Sequence, residues 1–141
     1  MTYARDLARL VPLPTDPSKR YAWSPETGWS ETEDAAPVSA VVEKAATAET
    51  SLLSDAGQYL RFTNASASTY TIAPQASVAW SDSAEITIRR DADGPLTLIG
   101  GAGVTLRPPS GGTLVMEYDM TVSLKRVTST LWHVIGQTVP A

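Results

Sequence analysis

A chain of 141 residues with a net charge of −4 and no cysteine has room for one packed domain and a tail. The lack of cysteine excludes disulfides, thiolate chemistry and sulfur-ligated zinc, and a single histidine, His133, excludes a multi-histidine metal site within one chain. Apolar residues make up 43% of the sequence, enough for a core, and no run approaches the roughly 18 apolar residues of a membrane-spanning helix.

The N-terminus, Met1-Thr2-Tyr3-Ala4-Arg5-Asp6, lacks the basic start and apolar stretch of a secretory signal, so synthesis in the cytoplasm and no membrane partner are expected. Residues 1–37 hold five of the ten prolines. Tyr3, Leu7 and Leu10 fall at i, i+4 and i+7, which predicts a short helix that Pro12 and Pro14 end. Such a helix needs a surface to lie against. Next comes Tyr21-Ala22-Trp23-Ser24-Pro25-Glu26-Thr27-Gly28-Trp29, in which Ser-Pro and Thr-Gly mark a turn between large aromatics. Two readings stand: a hairpin folded onto the same chain, or an anchor whose aromatics fill pockets on a partner. The anchor is favoured, with Leu7, Leu10, Tyr21, Trp23 and Trp29 as the partner-binding residues.

Residues 38–53 fit two patterns. Val38, Val41, Ala45, Ala48 and Leu52 match two heptads, whereas Thr47, Thr50 and Ser51 favour an extended linker entering a first strand. From residue 54 onward the chain reads as β. Short alternating runs at 58–63, 69–73, 85–89, 96–99, 104–107, 113–117, 122–127 and 131–135 are separated by turn residues, among them Asn64-Ala65-Ser66, Gly100-Gly101-Ala102-Gly103 and Pro108-Pro109-Ser110-Gly111-Gly112. The expectation is an all-β chain: a compact antiparallel β-sandwich or barrel-like head at 54–141, a linker, coiled coil or first strand at 38–53, and an extended arm with a short helix at 1–37. Phe62, Trp80 and Trp132 must supply much of the apolar burial. So thin a core favours association of several copies.

No catalytic constellation emerges. Asp91-Ala92-Asp93-Gly94 begins like a calcium loop, but Pro95 follows and no glutamate closes it, so a turn is expected and no metal. Glu117 and Asp119, two apart, would share a face if the strand ran through them, and paired carboxylates can serve glycoside hydrolysis; solvent-facing strand ends are the preferred reading. The glycines at 100–103 precede a strand rather than a helix and are no phosphate loop. Arg89-Arg90 and Lys125-Arg126 read as solvated strand edges. Residues 57–141 hold six acids and six bases, and no basic stripe for nucleic acid is present. His133 is expected on the face opposite Trp132 and Val134.

The segment Asp55-Ala56-Gly57-Gln58-Tyr59-Leu60-Arg61-Phe62-Thr63-Asn64 resembles the Gly-x-Tyr-Leu-Arg-x-Thr-Asn opening of a β-module in tailed-bacteriophage virion proteins. Thr69-Tyr70-Thr71-Ile72, Glu85-Ile86-Thr87-Ile88 and the terminal Leu131-Trp132-His133-Val134-Ile135-Gly136 continue the likeness over roughly residues 50–141. It departs at Trp80-Ser81-Asp82-Ser83-Ala84, where many relatives carry a phenylalanine-glycine pair. The resemblance implies a non-enzymatic structural protein of the virion, assembled in the host cytoplasm, without cofactor, as a homotrimer contacting phage capsid or tail proteins. The short linker favours a capsid decoration (cement) protein or short head fibre; the alternative is a tail fibre or tail-tip component binding a host surface glycan.

Overall fold

A computed structural model describes residues 20–26, 28–32 and 39–141. The predicted helix over residues 3–10, with Leu7 and Leu10, lies outside them. Strands β1 (Arg20–Ser24) and β2 (Gly28–Thr32) form an antiparallel hairpin, which belongs to a unit separate from Ser39–Ala141.

Within the larger unit the strands are β3 (Val41–Lys44), β4 (Ala48–Thr50), β5 (Tyr59–Phe62), β6 (Ser68–Ile72), β7 (Glu85–Arg90), β8 (Leu96–Gly100), β9 (Thr105–Arg107), β10 (Val115–Met116), β11 (Thr121–Arg126) and β12 (Leu131–Gly136), with one 3-10 turn at Leu53–Asp55. Each of the eight runs expected beyond residue 54 contains a strand, that at 113–117 only over Val115–Met116. The ambiguous stretch 38–53 is extended over β3 and β4 rather than helical, and from Ser39 onward it belongs to the same unit as the rest.

The expectation of antiparallel sheets is corrected. Both sheets are mixed: one runs β3-β5-β7-β11-β12-β9, the other β10-β8-β6-β4. The chain crosses between sheets at every strand from β3 to β8, so β3, β5 and β7 pair in parallel in one sheet while β4, β6 and β8 pair in parallel in the other. A parallel pair needs a crossover connection, and here each crossover is a strand of the opposite sheet. The result is three stacked two-strand turns. Strand β11 then runs antiparallel to β7 and β12 antiparallel to β11, and β12 takes β9 as a parallel neighbour.

Period-2 alternation sets the core. Leu60 and Phe62, Ile86 and Ile88, Val122 and Leu124, and Trp132 and Val134 are buried from one sheet; Tyr70, Ile72, Leu96, Leu98 and Met116 from the other, all in one cluster. Phe62 meets Tyr70 edge-on across the sheets at 5.2 Å between ring centroids, and Trp80 meets Trp132 at the same distance. The Trp80 indole N–H is satisfied by the Ala73 carbonyl at 2.9 Å.

Alternation also buries charge. Arg90 continues the inward series Ile86, Ile88 and is wholly enclosed, against the expectation of a solvated edge. Its guanidinium donates to the carbonyls of Phe62 (3.4 Å), Asn64 (2.6 Å), Ser66 (3.0 Å) and Gly94, so one cation ties the β5–β6 turn to the β7–β8 turn. Burial lowers its pKa from the ordinary arginine value. The two turns approach so closely that a Cβ on Gly94 would lie 2.4 Å from the Ala65 oxygen. Arg126 is likewise buried, donating to Asp82 at 2.7 Å and leaving its Nε unpartnered among the described residues. Of each basic pair only the first member, Arg89 or Lys125, faces outward.

In the first turn, Asp55 is 2% exposed and Lys44 7%. The Asp55 carboxylate accepts from the Tyr70 hydroxyl at 2.9 Å and the Leu52 N–H at 3.0 Å, and it lies 3.2 Å from the Lys44 ammonium. Burial, and then the Asp55 charge, push the Tyr70 hydroxyl above the ordinary tyrosine range.

Two outcomes are expected. Asp55→Ala leaves a buried ammonium beside an unpartnered hydroxyl and should cost about 3–5 kcal/mol in urea unfolding. Tyr70, its folded pKa raised, contributes stability that is complete below the unfolded tyrosine value and is lost as pH rises past about 10. Stability measured against pH should therefore fall less steeply above that point in Tyr70→Phe than in the native chain.

Candidate functional site

Three large aromatics of the proposed anchor fall on the hairpin: Tyr21 and Trp23 on β1, Trp29 on β2. The connection between the strands sets Ser24 opposite Gly28, Trp23 opposite Trp29 and Tyr21 opposite Glu31. Pro25 presets the backbone at the start of this connection, as the Ser-Pro signal implied. Positions directly opposite in an antiparallel pair share a face, as do positions two apart on one strand, so positions 21, 23 and 29 fall on one face of the ribbon. Sequence spacing alone could not bring them together, because Trp23 and Trp29 are six apart; the turn length does.

On the larger unit, the outer face of the six-stranded sheet carries a belt of ion pairs. Arg61 pairs with Asp91, Arg89 with Asp119, and Lys125 with Glu85 at 3.2 Å. The Arg61 guanidinium, its Nε 3.0 Å from the Asp91 carboxylate, lowers the Asp91 pKa and is itself raised in turn. Ser123 donates to Glu85 at 3.0 Å, and that bond together with Lys125 lowers the Glu85 pKa. The Asp91 and Glu85 carboxylates are held ionised by neighbouring cations and donors, the opposite of what a general acid needs.

The remaining candidates resolve by geometry. Asp91 is engaged by Arg61, and Gly94 is pressed against the β5–β6 turn, so Asp91-Ala92-Asp93-Gly94 is a turn. Strand β10 ends at Met116 and residues 117–120 turn, with the Met120 N–H on the Glu117 carbonyl at 3.1 Å and Asp119 at φ 71°. Glu117 and Asp119 therefore do not share a strand face, which corrects that reading. Residues 101–104 close a tight turn through Val104 N–H on Gly101 O at 2.9 Å, with Gly103 at φ 75°. Asn64 caps its own turn, accepting from the Ser66 N–H at 2.8 Å. His133 is half-buried opposite buried Trp132 and Val134, registered between Lys125 and Arg107. Among the described residues no group of three or more histidines and carboxylates is placed to hold a metal ion, and no helix is long and apolar enough to cross a membrane.

No family model, no curated protein and no solved structure matches the chain.

Because the hairpin and Ser39–Ala141 are separate units, residues 39–141 produced alone should keep the β-type circular dichroism and the urea midpoint of the full chain. A lower midpoint would show that the first 38 residues contribute to that core.

Proposed function

We propose that this chain is a non-catalytic structural component of a tailed-bacteriophage particle, a capsid decoration protein that holds a self-associating β-unit to the shell through its N-terminal arm. The observation that carries this reading is the hairpin: two tryptophans in direct register on a two-stranded ribbon, in a unit separate from the β-unit. A two-stranded ribbon is at best marginal alone, so an aromatic-rich one is suited to gain its order from a surface it binds. The resemblance of residues 50–141 to virion β-modules supports the same reading, as does the strand at each of the quoted motifs. In this reading the two mixed sheets form a sandwich around their common core, several copies, three by resemblance, associate, and each arm reaches a neighbouring shell subunit.

The test is a binding assay on purified tailed-phage shells with fluorescent protein. The full chain should sediment with the shells, and a chain lacking residues 1–37 should remain in solution while staying folded. Trp23→Ala with Trp29→Ala should weaken binding at least tenfold. Equal binding by the truncated chain removes the arm from the mechanism, and gold labelling at the tail rather than the shell reassigns the protein to a tail fibre.

A further inference from the structure

We propose that Lys44 and Asp55 condense into an intramolecular isopeptide bond, formed by the folded chain itself with Glu49 as the proton carrier. The inference concerns the larger unit alone and is independent of the virion reading.

Register assembles the cluster. Lys44 ends β3 beside Phe62 of β5, while Glu49, on β4 of the other sheet, lies beside Tyr70 of β6. Both occupy inward positions, so an ammonium and a carboxylate meet across the core at 3.9 Å. Asp55, in the 3-10 turn, completes the group, its Oδ1 lying 3.2 Å from the Lys44 Nζ. The Lys44 and Asp55 side chains are 9% and 3% exposed, against 38% and 52% for Lys125 and Glu85, an ion pair at the same distance. Water solvates the outer charges, whereas the inner pair has given that hydration up. Condensation removes both buried charges at once.

The two oxygens of Asp55 are held differently. Oδ2 accepts from the Tyr70 hydroxyl at 2.9 Å and the Leu52 N–H at 3.0 Å. These donors stand where negative charge develops when a nucleophile attacks Cγ. Oδ1 faces the amine. From the ion pair, one ammonium proton passes to Oδ1, which gives a neutral amine and a neutral acid. The Nζ lone pair attacks Cγ, and charge gathers on Oδ2 between its two donors. Glu49 takes a second proton from Nζ and returns it to the Oδ1 hydroxyl, which departs as water. One C–N bond forms, one C–O bond breaks, and nothing is oxidised or reduced. Oδ2 becomes the amide carbonyl and keeps both hydrogen bonds. The bond closes residues 44–55 into a ring that contains β4, a covalent brace in a chain without cysteine.

Intact-mass measurement and peptide mapping of the purified full chain test this. The native chain should be lighter than its sequence requires by the mass of one water. Trypsin should then leave residues 21–61 as a single peptide lacking that water, because an acylated Lys44 is no longer a cleavage site. Lys44→Arg keeps a cation beside Asp55 and should retain the full mass. In chain sampled early after synthesis, Glu49→Gln should lower the fraction that has lost water at least tenfold, with circular dichroism showing the variant folded. A folded native chain of full mass overturns the proposal without recourse to any variant. Water loss with cleavage after Lys44 intact marks a cyclised aspartate and overturns it too, as does a Glu49→Gln chain that reacts like the native one.

Discussion

Stacking of three two-strand turns in parallel register governs the larger unit, because it lines up equivalent positions of successive turns into columns. Val42, Leu60 and Ile88 form one column, Lys44, Phe62 and Arg90 another, and Glu49, Tyr70 and Leu98 a third. The second and third turns supply aromatic and aliphatic side chains at most of these places. The first supplies Lys44, Glu49, Ser51 and Asp55. Its polar groups therefore have to satisfy one another: Lys44 meets Asp55, Asp55 takes the Tyr70 hydroxyl from the next turn, and the Ser51 hydroxyl accepts the Ala73 N–H at 2.8 Å. A buried acid with three partners is tolerable where an unpaired one is not. At the other end of the second column, Arg90 solves the same problem with backbone carbonyls rather than a carboxylate.

A polar first turn has a topological meaning. Among the described residues, β3 and β4 stand at the edges of their respective sheets, where open backbone groups invite another strand. Terminal repeats of stacked folds characteristically turn a polar face to the end of the stack. Glu43, Lys44 and Glu49 on these strands, with Lys44 and Asp55 consuming core space, make that end a poor template for continued β-pairing. The antiparallel pair β11–β12 occupies the side of β7 away from β5.

Strand positions were legible because period-2 alternation depends only on which residues enter the core, and Ile86/Ile88, Val122/Leu124 and Trp132/Val134 state it clearly. Strand direction was not legible, since alternation is the same for parallel and antiparallel neighbours; the mixed sheets arise from the order in which the chain changes sheet. Arg90 and Arg126 were misread for a related reason. Composition marks arginine as a surface residue, but each sits where the inward series continues, and three of the four carbonyls that receive Arg90 lie 24 to 28 residues earlier in the chain. The stretch 38–53 was ambiguous because its small residues satisfy a heptad and a strand alike, and pairing with β5 and β6 decided it. Of the candidate site, the turn between Trp23 and Trp29 could be read from Ser-Pro and Thr-Gly, whereas their direct register could not.

The two units suggest how modest contacts could add to firm attachment. A single hairpin presenting a few aromatics offers a small contact, and part of its binding free energy is spent on ordering a ribbon that is marginal alone. In the proposed assembly several copies would bring their hairpins together, and each binding event after the first would then be intramolecular. Linking of this kind raises overall avidity by roughly 10²–10⁴ without any new contact, provided the arms can span the sites.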